Sequence, residues 1–430
     1  MHQIAKELNE KLTGSVIPEL LSDLGKRFYF PKGIISQSAE AKEKAKRLTA
    51  TVGMATEGNE PLYLKSIYRD FSGMTPSEVF PYAPTGGEKA LREVWKKEMV
   101  RKNPDMEGKQ TSLPLVCAGL THGISITADL FLDKGDTILV PDMFWGNYRL
   151  IFEERRESTL KSFPFYTPEK DGMNIKAIDD ALEALQGGKA ALILNFPNNP
   201  SGYSPTKDEA EQIVHVLKRH AEAGTKILVI TDDAYFGLFF EEDTYPQSLF
   251  ALLADAHEHI LAVKVDGATK EELVWGFRIG FITYGGKDVT PEQYEAMEKK
   301  TMGAIRSSIS NASKPAQSLL LKGLTSSTYL EEKQYAFDLL EKRYVKVKEI
   351  LAAHSEDKNL VPLPFNSGYF MTFATRGDAE QLRIYLLDAY QVGTIAIQHD
   401  YLRIAFSSVD VDRLEELYEI LYRAAGELWN

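Results

Sequence analysis

The sequence contains a single cysteine, Cys117, among 430 residues. No intrachain disulfide can form from it, and no thiolate cluster can hold zinc. Long apolar runs are also missing. The stretch at 190–194 is among the longest, far below the ~20 residues a membrane span requires. Positive charge is not in excess: Lys plus Arg total 50 against 62 Asp plus Glu, a net charge of −12. That sign argues against a nucleic acid or an anionic membrane as the main partner, while leaving room for a local basic site. The first residues, MHQIAKELNEKL, alternate charge with apolar side chains and contain no secretory stretch. The expectation is a reduced, cytoplasmic protein. No repeat, low-complexity tract or Gly/Ser linker divides the chain. With 43% hydrophobic residues it can bury the cores of two or three domains.

What is present is an ordered alternation. The runs LPLVCAG, DTILVPD, AALILNF, KILVITD, ILAVKVD and RIGFITYG, between about residues 113 and 285, are short, β-branched and closed by Gly, Pro, Asn or Asp. They read as buried strands. Helices lie between several of them. The clearest starts at Thr206, where Thr206 and Glu209 form a capping box, and stops near Gly224. Such alternation predicts an α/β fold with a mostly parallel sheet flanked by helices. Beyond about residue 335 the pattern becomes α+β: a helix over 335–354, the strand NSGYFMTF, a helix over 379–390, the strands VGTIAIQ and YLRIAFSS, and a last helix from 411. The first ~60 residues hold helices and one strand, KRLTATVG.

Ligands bind an open parallel sheet beyond the carboxyl ends of its strands, so the residues that follow each strand carry the functional signal. LPLVCAG leads into Gly119, Leu120, Thr121, His122 and Gly123, whose backbone N–H groups and threonine hydroxyl would cradle an anion at a helix start. DTILVPD is followed by Phe144 and Trp145, AALILNF by PNNPSG, KILVITD by Asp233-Ala234-Tyr235, and ILAVKVD by Gly267-Ala268-Thr269-Lys270. Taken singly, each has a plain structural explanation: a turn, a helix cap, a solvated charge. Together they place an anion cradle, an aromatic plate, an amide, a carboxylate, a phenol and an amine along one edge. A lysine amine condenses with an aldehyde. A phosphate tail, an aromatic ring and a protonated ring nitrogen need an anion site, a stacking partner and a carboxylate. Pyridoxal phosphate has all three.

These motifs resemble the class I/II aminotransferases, fold type I of the pyridoxal-phosphate enzymes. NFPNNPSG resembles their N-P-x-N-P-T-G signature, D-x-A-Y their strand-end Asp and Tyr, and Lys270 with Gly276, Arg278 and Gly280 their lysine and phosphate arginine eight residues on. The order matches from about residue 50 to 405. The resemblance implies a large domain with a seven-stranded sheet over 61–335, and a smaller α+β domain formed by 1–60 and 336–430. It implies pyridoxal 5'-phosphate as cofactor, an L-amino acid and a 2-oxo acid as reactants, and a homodimer with shared active sites. Lys270 would bind the cofactor aldehyde and move the substrate proton. Asp232 would pair with the ring nitrogen, Tyr235 and Asn199 with the phenolic oxygen, and Trp145 would stack. Gly119, Leu120, Thr121 and Arg278 would face the phosphate, and Tyr82 would reach the phosphate of the neighbouring subunit. Arg403, Asn199 and Gly53 would meet the substrate.

The chain also departs from the family pattern. A serine is usual three residues before the lysine, where this chain has Gly267, which leaves Thr269 or Thr121 as the hydroxyl. His122 fits either an anion contact or a helix cap. Arg306 resembles the second arginine that dicarboxylate-specific members receive from the partner subunit, which favours aspartate or glutamate, although a similar arginine accompanies other preferences too. Two alternatives remain at this level. One is a β-lyase or another carbon-bond-cleaving enzyme of the same fold. The other is a ligand-sensing domain of a transcription regulator, against which the acidic charge and short N-terminal segment speak.

Overall fold

In the computed structural model, residues 1–30, 33–58 and 60–429 are described. A seven-stranded sheet runs in the spatial order Leu115–Cys117, Gly280–Gly286, Ile260–Asp266, Lys226–Asp232, Lys189–Asn195, Thr137–Pro141, Thr159–Phe163. All neighbouring pairs are parallel except those made by Gly280–Gly286, which is antiparallel to both of its neighbours. The reversal follows from its connection, because only a four-residue helical turn, Ala268–Glu271, and a short 3-10 turn lie between it and the preceding strand. No full crossover helix fits there.

The central strands read as continuous apolar runs because both faces are covered. Ala191, Ile193, Leu228 and Ile230 join one hydrophobic cluster, while Ala190, Leu192, Leu194, Ile227 and Val229 join the other. Alternate residues thus enter opposite cores, as the two-residue strand period requires. The Thr206 capping box forms as expected: Glu209 N–H donates to Thr206 Oγ1 at 3.2 Å, and Thr206 N–H to Glu209 Oε2 at 2.8 Å. The helix Lys207–Glu222 follows, and Gly224 takes φ +99° just beyond it.

A second, antiparallel sheet has the order Leu360–Pro362, Met371–Thr375, Tyr401–Ile404, Ile395–Ile397. Leu48–Thr49 pairs in parallel with Val392–Gly393, and Leu48 and Ala50 enter the same hydrophobic cluster as Leu402, Leu417 and Leu421. Several expected boundaries are corrected here. The helix expected over 335–354 begins at Tyr329. The run 366–373 becomes strand only from Met371, and 392–398 breaks into two strands at Thr394. Strand Thr159–Phe163 carried no clear signal, since it lies at the sheet edge, where Lys161 and Ser162 face solvent. Among the described residues no helix is long and apolar enough to cross a membrane.

Candidate active site

The carboxyl ends of Leu115–Cys117, Thr137–Pro141, Lys189–Asn195, Lys226–Asp232 and Ile260–Asp266 lead into one cavity of about 220 Å³. Its wall brings together Leu120, Thr121, Trp145, Asn199, Asp232, Tyr235, Thr269, Lys270 and Arg278, together with Asn195 and Ala234. Parallel strand order explains the convergence: residues far apart in sequence end on the same edge.

One part of the wall is an anion cradle. Gly119 caps the helix Leu120–Phe131 at φ +81°, and a Cβ there would lie 2.4 Å from the Arg278 guanidinium. Only glycine lets that cation lie against the helix start, where unpaired N–H groups already favour negative charge. Arg278 itself adopts a left-handed conformation, φ +55°. Gly267 has a steric reason to lack a side chain. A Cβ there would meet Ile279 O at 2.7 Å, Gly280 Cα at 2.8 Å and Leu120 Cδ1 at 3.0 Å. The nearby Thr269 hydroxyl is buried, belongs to the cavity wall and has no hydrogen-bond partner among the described residues. An unsatisfied buried hydroxyl is costly, so cation, helix start and hydroxyl form a donor set suited to a phosphate.

His122 is committed elsewhere: its Nδ1 accepts from Ala118 N–H at 3.1 Å, and Nε2 lies 3.0 Å from Ser308 Oγ. It is a helix-end tie. Cys117 is buried in its strand, and burial raises its thiol well above the usual range.

Asp232 is buried and its carboxyl is pushed up to about 6 by burial, against the lowering effects of a hydrogen bond from Tyr148 and the charge of Lys270. The Tyr148 hydroxyl donates to Asp232 Oδ2 at 2.5 Å. Lys270 Nζ lies 4.6 Å from the Tyr235 ring centroid, and burial brings its amine down to about 8 despite the opposing pull of Asp232. Trp145 meets the Tyr148 ring edge-on at 5.7 Å.

The buried Arg403 enters from the smaller sheet. Its Nη1 donates to Asn199 Oδ1 at 2.9 Å and its Nη2 to Thr51 O at 2.8 Å, while Nε has no partner among the described residues. Among the described residues no carboxylate lies within ion-pair distance of it, and burial lowers its guanidinium to about 10. The PNNPSG turn makes this approach possible, since Asn366 and Ser367 N–H both donate to Gly202 O, and Thr372 Oγ1 donates to Pro200 O. Gly53 lies beside the Tyr235 hydroxyl, where a Cβ would come to 3.0 Å, and its carbonyl accepts from Trp275 Nε1 at 3.1 Å.

Five expected residues are not in this wall: Gly119, Gly53 and Arg403, which each meet a residue of it, and Tyr82 and Arg306. Tyr82 is 90% exposed, and Arg306 is exposed with Nη1 donating to Ser310 Oγ at 2.5 Å. Two others went unanticipated. Tyr148 sits three residues after Trp145, across a turn in which Tyr148 N–H donates to Trp145 O at 3.0 Å, and that spacing in FWGNY was the available signal. Asn195 accepts from Asn199 N–H and donates to Asp232 O, both at 2.8 Å, and so couples the amide turn to the carboxylate strand.

Residues 74–421 match the family described as aminotransferase class I and II. The chain is 26% identical over 212 residues to an aspartate aminotransferase of Geobacillus stearothermophilus, a match covering 48% of this chain and 49% of that protein. It is 22% identical over 358 residues to one of Pyrococcus horikoshii, covering 80% of this chain and 83% of the other. The chain spans about half the length of the first curated relatives it matches. In fold it is similar to the crystal structure of an aminotransferase from Anaerococcus prevotii, with TM-score 0.81 and 22% identity, covering 94% of this chain and 99% of that one. An aspartate aminotransferase structure from Thermotoga maritima gives TM-score 0.73 and 18% identity, covering 95% and 100%.

Proposed function

The chain belongs to the class I and II aminotransferases, and from that premise we propose that it is a transaminase that uses pyridoxal 5'-phosphate to exchange an amino group between an L-amino acid and a 2-oxo acid. The observation that carries this reading is the pairing of the Lys270 amine and the Asp232 carboxylate in one cavity wall, beside a phosphate-suited donor set. When bound, pyridoxal phosphate supplies an aldehyde and an electron-accepting ring. The remaining work falls to the chain. Gly119, Leu120 and Thr121 at the helix start, the Thr269 hydroxyl and the Arg278 guanidinium would hold the phosphate. Trp145 would cover the ring, Tyr235 and Asn199 would meet its phenolic oxygen, and Asp232 would keep a proton on its nitrogen. Lys270 Nζ would be the amine that meets the aldehyde and the base for the substrate α-proton. An amine near 8 exchanges protons readily close to neutral pH.

Arg403 binds the α-carboxylate. A buried cation without a counter-ion is unfavourable, and a carboxylate relieves it with two parallel hydrogen bonds. Gly53 lets the substrate pass beside Tyr235. Tyr82 and Arg306 are assigned to the neighbouring site of a homodimer, Tyr82 to its phosphate and Arg306 to a side-chain carboxylate that favours aspartate or glutamate. Support comes from the exposure of Phe80 and Tyr82, and of the neighbouring rings of Tyr63, Tyr68 and Phe71, aromatic surface of the kind interfaces use. We assign residues 61–335 to a large domain, and 1–60 with 336–430 to a smaller one, on the shared hydrophobic cluster of Leu48 and Leu402.

The test is a donor panel: the cofactor-loaded protein, one 2-oxo acid and each common amino acid in turn. Oxo-acid-dependent amino transfer, fastest from aspartate or glutamate, is expected. Release of pyruvate and ammonia from a β-substituted amino acid without an oxo acid would replace this reading with a lyase.

A further inference from the structure

Lys270 is followed in sequence by two glutamates, and both are buried, Glu271 at 6% and Glu272 at 0% exposure. Buried carboxylates are uncommon unless paired, and the chemistry above uses neither. Each is gripped from outside the cavity. Lys102, the last residue of the helix Lys89–Lys102, forms an ion pair with the Glu271 carboxylate. Lys333 Nζ donates to the Glu271 carbonyl and lies 3.5 Å from Glu272 Oε2. The Tyr329 hydroxyl donates to Glu272 Oε1 at 2.8 Å. Tyr329 and Lys333 stand four residues apart at the start of the helix Tyr329–Ala353, on one face of it.

The grip continues around the sheet to the other reactive group. Lys102 Nζ lies 4.9 Å from the Trp95 ring centroid, and Trp95 Nε1 donates to Asp266 Oδ2 at 3.2 Å. Asp266 pairs with Lys264 at 2.9 Å, and Lys264 with Asp233 at 2.5 Å. Asp233 is the residue after Asp232. The amine and the carboxylate are therefore each followed by a buried acid, and these acids are tied into one run of ion pairs and hydrogen bonds. A second cavity, of about 480 Å³, has Lys270, Glu271, Lys102 and Lys333 in its wall, so the lysine turn is a partition with open space on both sides. Its backbone is a single helical turn of four residues, Ala268–Glu271, too short to hold its own place.

We propose that Glu271 and Glu272, held by Lys102, Lys333 and Tyr329, are positioning residues that keep the Lys270 amine in the cofactor cavity at a fixed relation to the Asp232 carboxylate. The inference rests on the cofactor reading above, and two ligands separate the two. Pyridoxamine 5'-phosphate has no aldehyde and is held only by the phosphate and ring contacts. Pyridoxal 5'-phosphate must also form a C=N bond to Lys270 Nζ, the aldehyde oxygen leaving as water with two hydrogens from the amine.

The experiment uses the full chain freed of cofactor, as wild type, Lys102→Met, Lys333→Met, Glu272→Gln and Tyr329→Phe. It measures the dissociation constant of the pyridoxamine compound and the rate of borohydride-trapped linkage to the pyridoxal compound. The expected result is unchanged binding of the former, within about twofold, with linkage slowed about tenfold to a hundredfold, the range that misplacing a reacting group costs. Lys102→Arg should restore the rate. Where the lysine variants do not fold, the near-isosteric Glu272→Gln and Tyr329→Phe carry the same comparison. Variant rates equal to wild type, or affinity and linkage rate falling by one common factor, overturn the positioning role alone. A wild-type chain that binds neither ligand overturns the cofactor reading as well.

Discussion

Replacing Tyr148 with Phe removes one hydroxyl and leaves the ring that packs between Trp145 and Phe152. That hydroxyl donates to Asp232 Oδ2 at 2.5 Å inside the core, and O–H···O⁻ bonds of this length are among the strong ones. Hydrogen bonds to charged groups contribute about 1.5–3 kcal/mol. At ~1.4 kcal/mol per pH unit, the Asp232 carboxyl should rise by about 1–2 pH units above its present value. It already stands at about 6 through burial, so near neutral pH the variant carries a largely protonated acid. A protonated acid no longer favours a cationic ring nitrogen. The acid limb of the kcat/KM profile should therefore move up by about 1–2 pH units, and kcat at pH 7 should fall about twofold to tenfold. KM for the amino donor should hold, because Tyr148 serves Asp232 and not Arg403. An acid limb that stays within about 0.3 pH unit of wild type, in a variant that still binds cofactor, would refute the coupling between this hydroxyl and the carboxylate.

The remaining predictions follow from the same geometry. Gly267→Ser, which restores the residue usual in the family, should weaken cofactor binding and cost about 1–3 kcal/mol of stability, because its Cβ would press on Ile279 O and Gly280 Cα; tighter binding at an unchanged melting temperature would contradict this. Asp232→Asn should change the pH dependence of stability in the cofactor-free chain. The folded carboxyl is raised above its unfolded value, so its favourable contribution is full at low pH and is lost as pH rises through about 6. The variant should gain on wild type by about 2 kcal/mol between pH 4 and 7, and a flat difference in denaturant titrations would count against the burial argument. Arg403→Lys should raise KM for amino acids about tenfold to a hundredfold, since an ammonium cannot match the paired hydrogen bonds of a guanidinium; steady-state kinetics with KM unmoved would remove Arg403 from the carboxylate site.

The central sheet was legible because AALILNF and KILVITD are buried on both faces and read as apolar throughout. Strand ends carry polar residues that a buried strand has no reason to end on, which is why Asn199, Asp232 and Lys270 stood out. Thr159–Phe163 did not, since an edge strand is half solvated and its polar residues look like a loop. The hydrogen bond from Tyr148 to Asp232 spans 84 positions: the spacing in FWGNY puts the phenol near Trp145 but does not name its partner. Lys264 was read as part of an apolar strand. Its ammonium is tolerated there only because Asp233 and Asp266 meet it in three dimensions. The serine missing at 267 could be seen from the sequence but not explained, because the cause is the close approach of Gly280 across the sheet.

The central claim is that Lys270 is the amine that binds the cofactor. Incubating the chain with pyridoxal 5'-phosphate, reducing with borohydride and mapping the peptides tests it directly. The account predicts one stable phosphopyridoxyl group, carried by the peptide containing Lys270 and absent from Lys270→Ala. A label on another lysine, or an equal label in the alanine variant, would contradict it.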